Sequence, residues 1–368
     1  MKNNKVAIIH DWLSVNGGAE IVLKHLLRMY PQADLYTMID TLPHDKREWL
    51  NGHAIYTSCL QRSSWVREHY RYFIPLMPYL VEQFDLSSYD MVISSSHAVA
   101  KGVIVHPDQQ HISYIYSPMR YAWDLMYEHE RLGVFGKGPL KFMMKRWLHK
   151  MRLWDFISAQ RPDILLADSQ FIQRRIKKCW ARDAKVVYPP VEFDACVFEE
   201  KKEEYYVTLS RLVHYKRIDL IVEAFNQMPD KKLIVIGDGP ALKNLQKIAK
   251  ENITLKGYLP REEAMGYVQK AKAFIFMAKE DFGIAPLEAS ACGTPVIAYG
   301  KGGASETVVD GLTGMYVEEQ NSESLIKVIQ DFENTSIDPY ACQKHAQLFS
   351  VENFHKNFAS SLEERIEK

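Results

Sequence analysis

The chain lacks several features that would place it in a specialised class. Its 368 residues include only five cysteines, which are odd in number, scattered, and without CxxC or Cys/His spacing. A disulfide framework and a structural zinc site are therefore disfavoured. No stretch approaches the roughly 18 consecutive apolar residues that would span a bilayer, and the stretch MKNNKVAIIHDW lacks the apolar core of a signal peptide. These absences predict a cytoplasmic protein with reduced cysteines.

A dinucleotide-binding signature is missing as well. The nearest match to the GxGxxG fingerprint, Gly237-Asp238-Gly239, continues as Pro-Ala-Leu, so NAD chemistry is disfavoured. The sequence also contains no tandem repeat and no low-complexity tract.

What the sequence does contain is an ordinary globular composition with an uneven charge distribution. It is 47% hydrophobic and 25% charged, and its length suits two domains at roughly 150 residues each. Formal charge sums to zero, but residues 1–193 carry 25 Lys and Arg against 19 Asp and Glu, whereas residues 194–368 carry 21 against 27. Ten of the thirteen histidines lie in the first half. This asymmetry indicates that the first half meets an anionic partner.

Short β-branched and aliphatic runs alternate with segments of helical periodicity, which is typical of βα units that build parallel sheets. The strand candidates are residues 6–10, 34–39, 91–96, 111–116, 164–169, 185–189, 205–210, 232–237, 253–257, 273–278 and 295–300. A Pro-Pro step and the charged run EEKKEE interrupt the alternation around residues 190–203. We expect an α/β fold of two Rossmann-like domains whose parallel sheets face a central cleft, with ligands at the carboxyl ends of the strands.

Three segments follow from this pattern: an N-terminal domain (1–192), a C-terminal domain (193–348) and a terminal helix (349–368). The helix is amphipathic and therefore needs a surface on which to dock. Its apolar stripe consists of Phe349, Phe354, Phe358 and Leu362.

The stretch KEDFGIAPLEASACGTP (279–295) places two carboxylates around an apolar turn. Glu280 falls just past a buried strand, and Pro286 suits the first turn of the following helix, so Glu288 is expected in that first turn. Gly283 lets the backbone approach a ligand closely, and the free N–H groups at the helix start favour an anion. Both carboxylates would then face one crevice above the sheet.

Two carboxylates beside an anion-binding turn are poor phosphate ligands, because like charges repel. They are better suited to accept hydrogen bonds from hydroxyl groups, so the pattern indicates a polyol joined to a phosphate, as in a nucleotide sugar. These residues alone leave an alternative open, in which Glu288 complements the helix dipole and Glu280 is a solvated loop residue.

At this motif the sequence resembles the family 4 retaining glycosyltransferases of GT-B fold, whose E-x7-E signature matches EDFGIAPLE. Further stretches match that family in the expected order over most of the chain: NGGAE (16–20), LSRLVHYKRIDLIVEAF (209–225), VIGDGPALKNL (235–245) and GYLPREE (257–263). Through HDWL…GGAE, SSSHAVAKG and YSPMRYAWD, the chain is most similar to bacterial enzymes that add mannose from GDP-mannose in O-antigen, lipopolysaccharide or other surface polysaccharide assembly. Tyr116 departs from similar proteins, in which this position is often histidine.

The resemblance implies a donor site. Arg211 and Lys216 would bind the leaving diphosphate, because fixed cations stabilise its growing negative charge most in the transition state. Glu288 would accept hydrogen bonds from the ribose, and Glu280 would hold the transferred sugar. The remaining donor-binding positions are Gly17, Gly18, Gly237, Phe282, Gly283 and Ile284. A solvated surface pair at Arg211 and Lys216, and a mere tight turn at the first two glycines, are the alternatives.

The predicted catalytic set is completed in the first domain. His97 resembles the family histidine near the primary hydroxyl of the sugar, with a histidine that caps the next helix as the alternative. Asp11, at the end of the first strand, is expected to orient the acceptor hydroxyl. The D-x-D pair common to GT-A glycosyltransferases is absent, so we expect no metal and no other cofactor. The resemblance also implies that residues 1–192 bind the acceptor, that residues 193–348 bind the nucleotide sugar, and that the terminal helix, 349–368, packs back on the first domain. Domain closure would bring His97 and the glycine loop over the donor.

Two basic, aromatic stretches of the first domain predict an acceptor and membrane surface. KGPLKFMMKRWLHKMR (137–152) carries six Lys and Arg and no acidic residue, as in helices that lie on anionic membranes. RSSWVREHYRYFIP (62–75) adds a second stretch. The residues of this patch are Arg62, Arg67, Lys141, Lys145 and Arg146. A polyprenyl-diphosphate-linked saccharide at an anionic inner leaflet would account for both stretches. Ordinary helices are the alternative, and no nucleic-acid-binding motif accompanies them.

The sequence therefore predicts a retaining, metal-independent hexosyltransferase that is cytoplasmic and peripherally bound to the inner face of the membrane. One alternative is an enzyme of the same fold with different chemistry, such as a UDP-sugar transferase, a nucleotide-sugar epimerase or a phosphorylase. The other is a non-catalytic, glycosyltransferase-like binding subunit, which the intact Glu280, Glu288, Arg211 and Lys216 argue against.

Overall fold

The structure of the protein, a computed structural model, describes residues 5–131 and 138–363. These residues form two compact units. One unit comprises the described residues up to Pro189 together with those from His355 onward, and the other comprises Pro190–Phe354. Each unit contains one parallel β-sheet with helices between its strands. The predicted class of two parallel-sheet α/β domains is confirmed.

The first unit is built on a seven-stranded sheet. Its strands are β1 (Val6–His10), β2 (Asp34–Thr37), β3 (Ile55–Thr57), β4 (Met91–Ser96), β5 (Gln110–Ile115), β6 (Ile164–Ala167) and β7 (Lys185–Val186). Their order across the sheet is β3-β2-β1-β4-β5-β6-β7, and neighbouring strands are parallel. The helices between them are α1 (Gly18–Met29), α2 (Ser64–Glu68), α3 (Met77–Val81), α4 (Met126–Arg131), α5 (Pro139–Ser158) and α6 (Gln170–Trp180).

The position of β1 within this sheet determines which residues meet at its carboxyl edge. All five residues of β1 are buried, as expected for a central strand covered on both faces. At its last residue, His10 is in register with Thr37 of β2 and Ser95 of β4. Parallel strands end at the same edge, so Asp11 after β1 and His97 after β4 are brought together.

The second unit is built on a six-stranded sheet. Its strands are β8 (Glu203–Leu209), β9 (Leu233–Ile236), β10 (Ile253–Gly257), β11 (Ala271–Phe276), β12 (Val296–Tyr299) and β13 (Gly314–Val317). Their order is β10-β9-β8-β11-β12-β13, again parallel throughout. The helices are α7 (Ile218–Asn226), α8 (Leu242–Ile248), α9 (Arg261–Lys270), α10 (Ile284–Ala291), α11 (Ala304–Thr307), α12 (Ser322–Phe332) and α13 (Pro339–Ala346).

The core of the second unit includes the apolar faces of α7 and α12. Ile221 and Phe225 of α7 and Ile329 of α12 belong to one buried cluster with Val235 of β9 and Ile275 of β11. Burying each such side chain stabilises the fold by about 1.5–3 kcal/mol. The spacing of these residues is the helical period that the sequence shows, because i, i+3, i+4 and i+7 share one face.

The last described helix, α14 (Val351–Glu363), belongs with the first unit from His355 onward. Phe354 and Phe358 are buried, and Lys185 Nζ donates to the carbonyl oxygen of Ser361 at 3.2 Å. Phe349, which the sequence places on the same stripe, lies before the helix, in a 3-10 turn. Residues 364–368 of the predicted terminal helix lie outside the described residues. No helix in the described part of the chain has the length and apolarity to cross a membrane.

Candidate functional site

The turn between β11 and α10 carries Glu280. β11 ends at Phe276 and α10 begins at Ile284, which matches the predicted strand, turn and helix. Gly283 has φ +94°, a left-handed conformation that residues with a Cβ rarely adopt. Gly303 N donates to the carbonyl oxygen of Glu280 at 2.8 Å. A second glycine-containing loop, after β12, therefore fixes the turn.

Lys216 lies against this turn. It ends the 3-10 turn His214–Lys216 that follows β8. Its ammonium group forms a hydrogen-bonded ion pair with the Glu280 carboxylate, and the two side chains are only 15% and 20% exposed. The ammonium group also lies 5.8 Å from the centroid of the Phe276 ring. The structure thus brings together a residue predicted to bind the diphosphate and one predicted to hold the transferred sugar.

Arg211 and Gly237 follow β8 and β9 at the same edge of the sheet. Arg211 is exposed, and its side chain has no hydrogen-bond or ion-pair partner among the residues that the structure describes. Gly237 N donates to the carbonyl oxygen of Gly257 at 2.8 Å, which joins the start of the loop after β9 to the end of β10. An exposed guanidinium at this edge is available to an anion.

Glu288 lies in the second turn of α10, so its prediction in the first turn is wrong. The helix begins directly after Gly283, which makes Glu288 its fifth residue. The residue is buried, and its Oε1 lies 2.6 Å from Nη2 of Arg261, the first residue of α9. Arg261 Nη2 also donates to the carbonyl oxygen of Glu192 at 3.1 Å. A role for Arg261 was not predicted, although Pro260 before it is the usual signal for a helix start at this edge.

The apolar residues predicted to bind the donor are placed differently from one another. Phe282 is buried, and its ring packs against Phe349 with the centroids 5.7 Å apart. Ile284 is the first residue of α10 and is partly exposed.

In the first unit, Asp11 is fully buried. Its two carboxylate oxygens accept hydrogen bonds of 2.6–2.9 Å from consecutive backbone N–H groups, those of His97, Ala98, Val99 and Ala100. Burial alone would raise the pKa of Asp11, but the charge of His97 and these donors outweigh it, so the pKa is lowered. A carboxylate enclosed in this way does not reach an acceptor hydroxyl. The geometry favours a role in positioning the turn that carries His97.

His97 lies at the carboxyl end of β4, with its side chain 32% exposed. Its Nδ1 lies 3.1 Å from Asp11 Oδ2, and the Trp12 ring packs against it edge-on with the centroids 4.6 Å apart. Nδ1 therefore faces the carboxylate, which leaves Nε2 for a ligand. Burial lowers the pKa of His97, and the Asp11 charge offsets only part of this effect. The alternative that His97 caps the next helix is wrong, because Asp11 occupies those N–H groups.

The predicted glycine loop, Gly17–Gly18, leads into α1 and rests on buried polar groups. Gly17 N donates to Oε2 of the buried Glu20 at 2.9 Å. Oε1 of Glu20 lies 3.8 Å from Nε2 of His10, whose Nδ1 is 3.0 Å from Ser95 Oγ. Burial raises the pKa of Glu20, but the nearby charge of His10 and the N–H donor of Gly17 lower it overall. A carboxylate beneath the loop thus holds the start of α1.

Tyr116, at the position that is often histidine in similar proteins, is part of this support. Its hydroxyl group donates to the carbonyl oxygen of Ala19 at 2.9 Å and lies 2.7 Å from Ser95 Oγ. Burial raises the pKa of the Tyr116 phenol, so it stays protonated and can donate. Tyr116 therefore ties the end of β5 to β4 and to α1.

The outer face of α5 differs from the predicted patch. Lys141 and Lys145 both pair with Glu130 of α4, at 2.7 and 2.8 Å, so the acidic residue partly neutralises them. Leu148 points inward and is buried. The exposed side chains are basic or imidazole in the middle of the helix and apolar at both ends: Pro139, Leu140, Phe142, Met143, Arg146, His149, Lys150, Leu153, Phe156 and Ile157. Lys137 lies outside the described residues.

The second predicted stretch, 62–75, forms the short helix α2 and most of the 3-10 turn Tyr70–Leu76, which leads into α3. Arg62 is exposed, whereas Arg67 Nη1 donates to the carbonyl oxygen of Gln61 at 2.9 Å. Trp65, His69 and Tyr72 stack in sequence, with centroid distances of 4.9 and 6.1 Å. The large exposed side chains here are Trp65, Tyr72, Leu76 and Tyr79.

No group of three or more His, Cys, Asp or Glu side chains within residues 5–131 and 138–363 is placed to hold a metal ion. The predicted donor-binding residues at the edge of the second sheet include one carboxylate and two cations, Glu280, Lys216 and Arg211. Such a set suits an anion that also carries hydroxyl groups.

Sequence comparisons connect this site to known proteins. Residues 192–349 match the model of the family described as Glycosyl transferases group 1. The GDP-mannose-dependent alpha-(1-6)-phosphatidylinositol monomannoside mannosyltransferase of Mycolicibacterium smegmatis is 35% identical over 142 residues, which cover 34% of this chain and 37% of that protein. An uncharacterized 41.2 kDa protein in the cps region of Klebsiella pneumoniae is 25% identical over 295 residues, 74% of this chain and 80% of that protein. The chain thus spans well under two thirds of the length of the mannosyltransferase.

Solved structures match the whole fold. Anabaena HepE in complex with UDP and glucose gives a TM-score of 0.72 at 18% identity, covering 98% of this chain and 100% of that one. Sucrose-phosphate synthase from Thermosynechococcus elongatus gives a TM-score of 0.72 at 16% identity, covering 99% of each chain. The predicted GT-B fold is confirmed.

Proposed function

We propose that this chain, whose residues 192–349 form a domain of the Glycosyl transferases group 1 family, is a retaining glycosyltransferase. Its proposed reaction moves mannose from GDP-mannose to a lipid-linked saccharide during assembly of a bacterial surface polysaccharide. The observation that carries the proposal is the ion pair of Lys216 with Glu280 at the carboxyl edge of the second sheet, with the exposed Arg211 at the same edge. Cations suit a diphosphate, and the carboxylate suits sugar hydroxyls.

In this reaction the bond between the anomeric carbon and the diphosphate oxygen breaks. A bond to the acceptor oxygen forms on the same face, so the configuration is retained, and the acceptor proton passes to the departing phosphate oxygen. Arg211 and Lys216 stabilise the charge that grows on the leaving group. Glu280 holds sugar hydroxyls and stabilises positive character at the anomeric carbon without forming a covalent bond.

Glu288 is assigned to the ribose of the donor. Arg261 engages Oε1 of this carboxylate and is itself held by the Glu192 carbonyl group. Oε2 has no hydrogen-bond partner among the described residues, so it is the oxygen we assign to a ribose hydroxyl. A carboxylate oriented by one partner and open on the other side binds a hydroxyl group with little loss of conformational entropy.

His97 is assigned to the transferred sugar, near its primary hydroxyl, with Asp11 as the residue that orients it. The lowered pKa of His97 keeps the imidazole neutral at pH 7, with its proton on Nδ1 toward Asp11. Nε2 then accepts a hydrogen bond from a hydroxyl group. The transfer is proposed to need no metal ion, because Arg211, Lys216 and the N-terminal N–H groups of α10 supply the positive charge that the diphosphate requires.

The acceptor is proposed to be a polyprenyl-diphosphate-linked saccharide, bound by the first unit at an anionic inner leaflet. The outer face of α5 supports this assignment, since Arg146 and Lys150 lie between exposed apolar groups at the two ends of the helix. Basic side chains attract anionic headgroups while apolar ones enter the acyl boundary.

A UDP-sugar donor is the second candidate. The fold matches HepE, whose structure contains UDP and glucose, whereas the sequence relative named for GDP-mannose matches only a third of this chain. The two donors are distinguished by incubating the purified protein with a panel of radiolabelled nucleotide sugars and lipid-linked acceptors. Transfer from GDP-mannose supports the first donor, and transfer from a UDP-sugar alone supports the second. Donor binding without transfer to any acceptor would instead indicate a binding subunit.

A further inference from the structure

A buried ion pair that the proposed reaction does not use lies next to His97. Lys101 and Asp155 are 1% and 0% exposed, and Lys101 Nζ lies 2.6 Å from Asp155 Oδ1. Isolated charges are rarely buried in this way, because removing them from water costs more than their attraction usually returns. A buried ion pair usually adds little to stability, so the position of this pair beside the His97 turn needs another explanation.

The pair is joined directly to the turn that positions His97. Lys101 lies in the 3-10 turn Ala100–Gly102, and its Nζ donates to the carbonyl oxygen of Ala98 at 2.8 Å. The N–H groups of Ala98 and Ala100 bind Asp11, whose Oδ2 lies 3.1 Å from Nδ1 of His97. Lys101 therefore holds the carbonyl group of Ala98, while N–H groups of the same segment hold Asp11 beside the His97 imidazole.

Asp155 anchors the lysine to two helices. It belongs to α5, and its Oδ2 accepts hydrogen bonds from Trp123 Nε1 at 2.8 Å and from Trp180 Nε1, at the end of α6, at 2.7 Å. The ammonium group of Lys101 also lies 5.0 Å from the centroid of the Trp180 ring. Both carboxylate oxygens are thus satisfied, so the pair has one geometry.

Close packing strengthens the link between this turn and α5. A Cβ added at Gly102 would lie 2.4 Å from the ring of Trp154, which is the residue before Asp155. Only glycine lets the turn approach the helix so closely. The turn and α5 therefore have little freedom to move independently of each other.

We propose that Lys101 and Asp155 are a positioning pair that fixes the His97 turn to α5, so that one helix both presents the outer acceptor and membrane face and sets the orientation of the histidine. The role of His97 in transfer rests on the proposed function, whereas the orientation of its ring does not. Neither member of the pair touches the reacting atoms.

The test uses the double variant Lys101→Met/Asp155→Asn, which removes both charges while nearly preserving volume. We expect kcat for sugar transfer to fall about 10- to 100-fold, the scale of a small misplacement of a catalytic group. The donor KM should stay within about twofold, because the donor-binding residues of the second unit are unchanged. The matched control is Lys177→Met/Asp183→Asn, an exposed pair of the first unit at 2.8 Å, which should leave kcat unchanged.

A second readout does not depend on activity. In a ¹⁵N spectrum of the histidine side chains, the Nδ1 signal of His97, which faces Asp11 in the parent, should shift in the double variant. If the double variant does not fold, Trp123→Phe removes one donor to Asp155 with little change in packing and should show both effects more weakly. An unchanged kcat together with an unchanged signal would overturn the proposal. A parent protein that transfers no sugar would instead refute the proposed function, and the spectrum would still test the pair.

Discussion

At the residue scale, two carboxylates of the same motif have different surroundings. Glu280 shares a partly exposed ion pair with Lys216, whereas Glu288 is buried against Arg261. Under the proposed function, Glu280 would respond to charge that develops during the reaction, and Glu288 would hold the ribose, which does not change. Binding energy that is equal in ground and transition states affects KM, and energy gained only in the transition state affects kcat.

The corresponding prediction compares Glu280→Gln with Glu288→Gln. Glu280→Gln should lower kcat about 10²–10³-fold with little change in donor affinity, because it removes a preorganised electrostatic group. Glu288→Gln should raise the donor dissociation constant about tenfold or more, because it removes a charged hydrogen-bond acceptor. Calorimetric titration of the donor and steady-state kinetics measure the two effects. The same pattern for both variants would contradict this division of roles.

Asp11 supports a second prediction at this scale. Asp11→Asn replaces two oxygen acceptors with one and turns an NH₂ group toward backbone donors, so it should destabilise the first unit by about 3 kcal/mol. All seven tryptophans lie between residues 12 and 180, so fluorescence in urea follows this unit alone. Asp108→Asn, at a 92% exposed side chain, is the control and should have no effect. Equal transitions for the two variants would show that Asp11 is not the anchor of the turn.

Which single residues can be predicted from sequence depends on where their partners are. Glu280 and Lys216 were predicted because their motifs mark the ends of strands, where side chains converge. The role of Asp11 was predicted incorrectly, because its partners are backbone N–H groups 86 to 89 residues away, which no side-chain pattern reveals. Arg261 was missed for a related reason, since its contact with Glu288 exists only once α9 and α10 pack together.

At the element scale, the composition of residues 137–152 predicted that α5 is a helix, but not which of its basic side chains have an acidic partner. The sequence shows six basic residues and no acidic one between residues 137 and 152. In the structure Glu130 of the preceding helix pairs with Lys141 and Lys145. Arg146 and Lys150 are therefore the exposed basic side chains of α5 that have no acidic partner among the described residues. A neighbouring helix therefore decides which cations are available to a membrane.

This arrangement gives a prediction for membrane binding. Arg146→Glu/Lys150→Glu should weaken co-sedimentation with anionic vesicles at least tenfold, since each basic side chain near such a surface contributes about 1 kcal/mol. Lys141→Gln/Lys145→Gln should have a much smaller effect. Lys177→Glu/Lys178→Glu on α6 makes the same change of charge on another helix and serves as the control. Equal losses in all three variants would mean that net charge, and not the face of α5, controls binding.

All eleven strand candidates form strands, while β3 and β13 were missed. Both are partly exposed along their length, so their apolar pattern in the sequence is weak. Edge position does not account for the misses, because the edge strands β7 and β10 were predicted.

At the scale of the whole molecule, the two units can be followed separately, because the second contains no tryptophan. Glu333, just after α12, links two neighbouring strands of its sheet, β8 and β11. Glu333 accepts from Tyr206 of β8 at 2.5 Å and pairs with Lys272 of β11 at 2.8 Å. Burial would raise the pKa of Glu333, but its hydrogen bonds from Lys272, Tyr206 and Lys231 lower it to about 2.

A stability prediction follows from this pKa. The folded-state value lies below the ordinary one of about 4.5, so the stabilisation is complete above pH 4.5 and is lost as the pH falls toward 2. Glu333→Gln should therefore destabilise the second unit by about 2 kcal/mol at pH 7 and by clearly less at pH 3. Urea unfolding followed by circular dichroism should show the shift, with the tryptophan transition unchanged. A pH-independent difference would exclude the titration of Glu333 as its cause.

The most direct test of the account is transfer of radiolabelled mannose from GDP-mannose to a polyprenyl-diphosphate-linked saccharide in the presence of EDTA. We predict a lipid-linked product whose new glycosidic bond keeps the configuration of the donor. We also predict undiminished turnover in EDTA and a loss of about 10²–10³-fold in Glu280→Gln. Inverted configuration in the product, or activity that EDTA abolishes and magnesium restores, would contradict the proposed site.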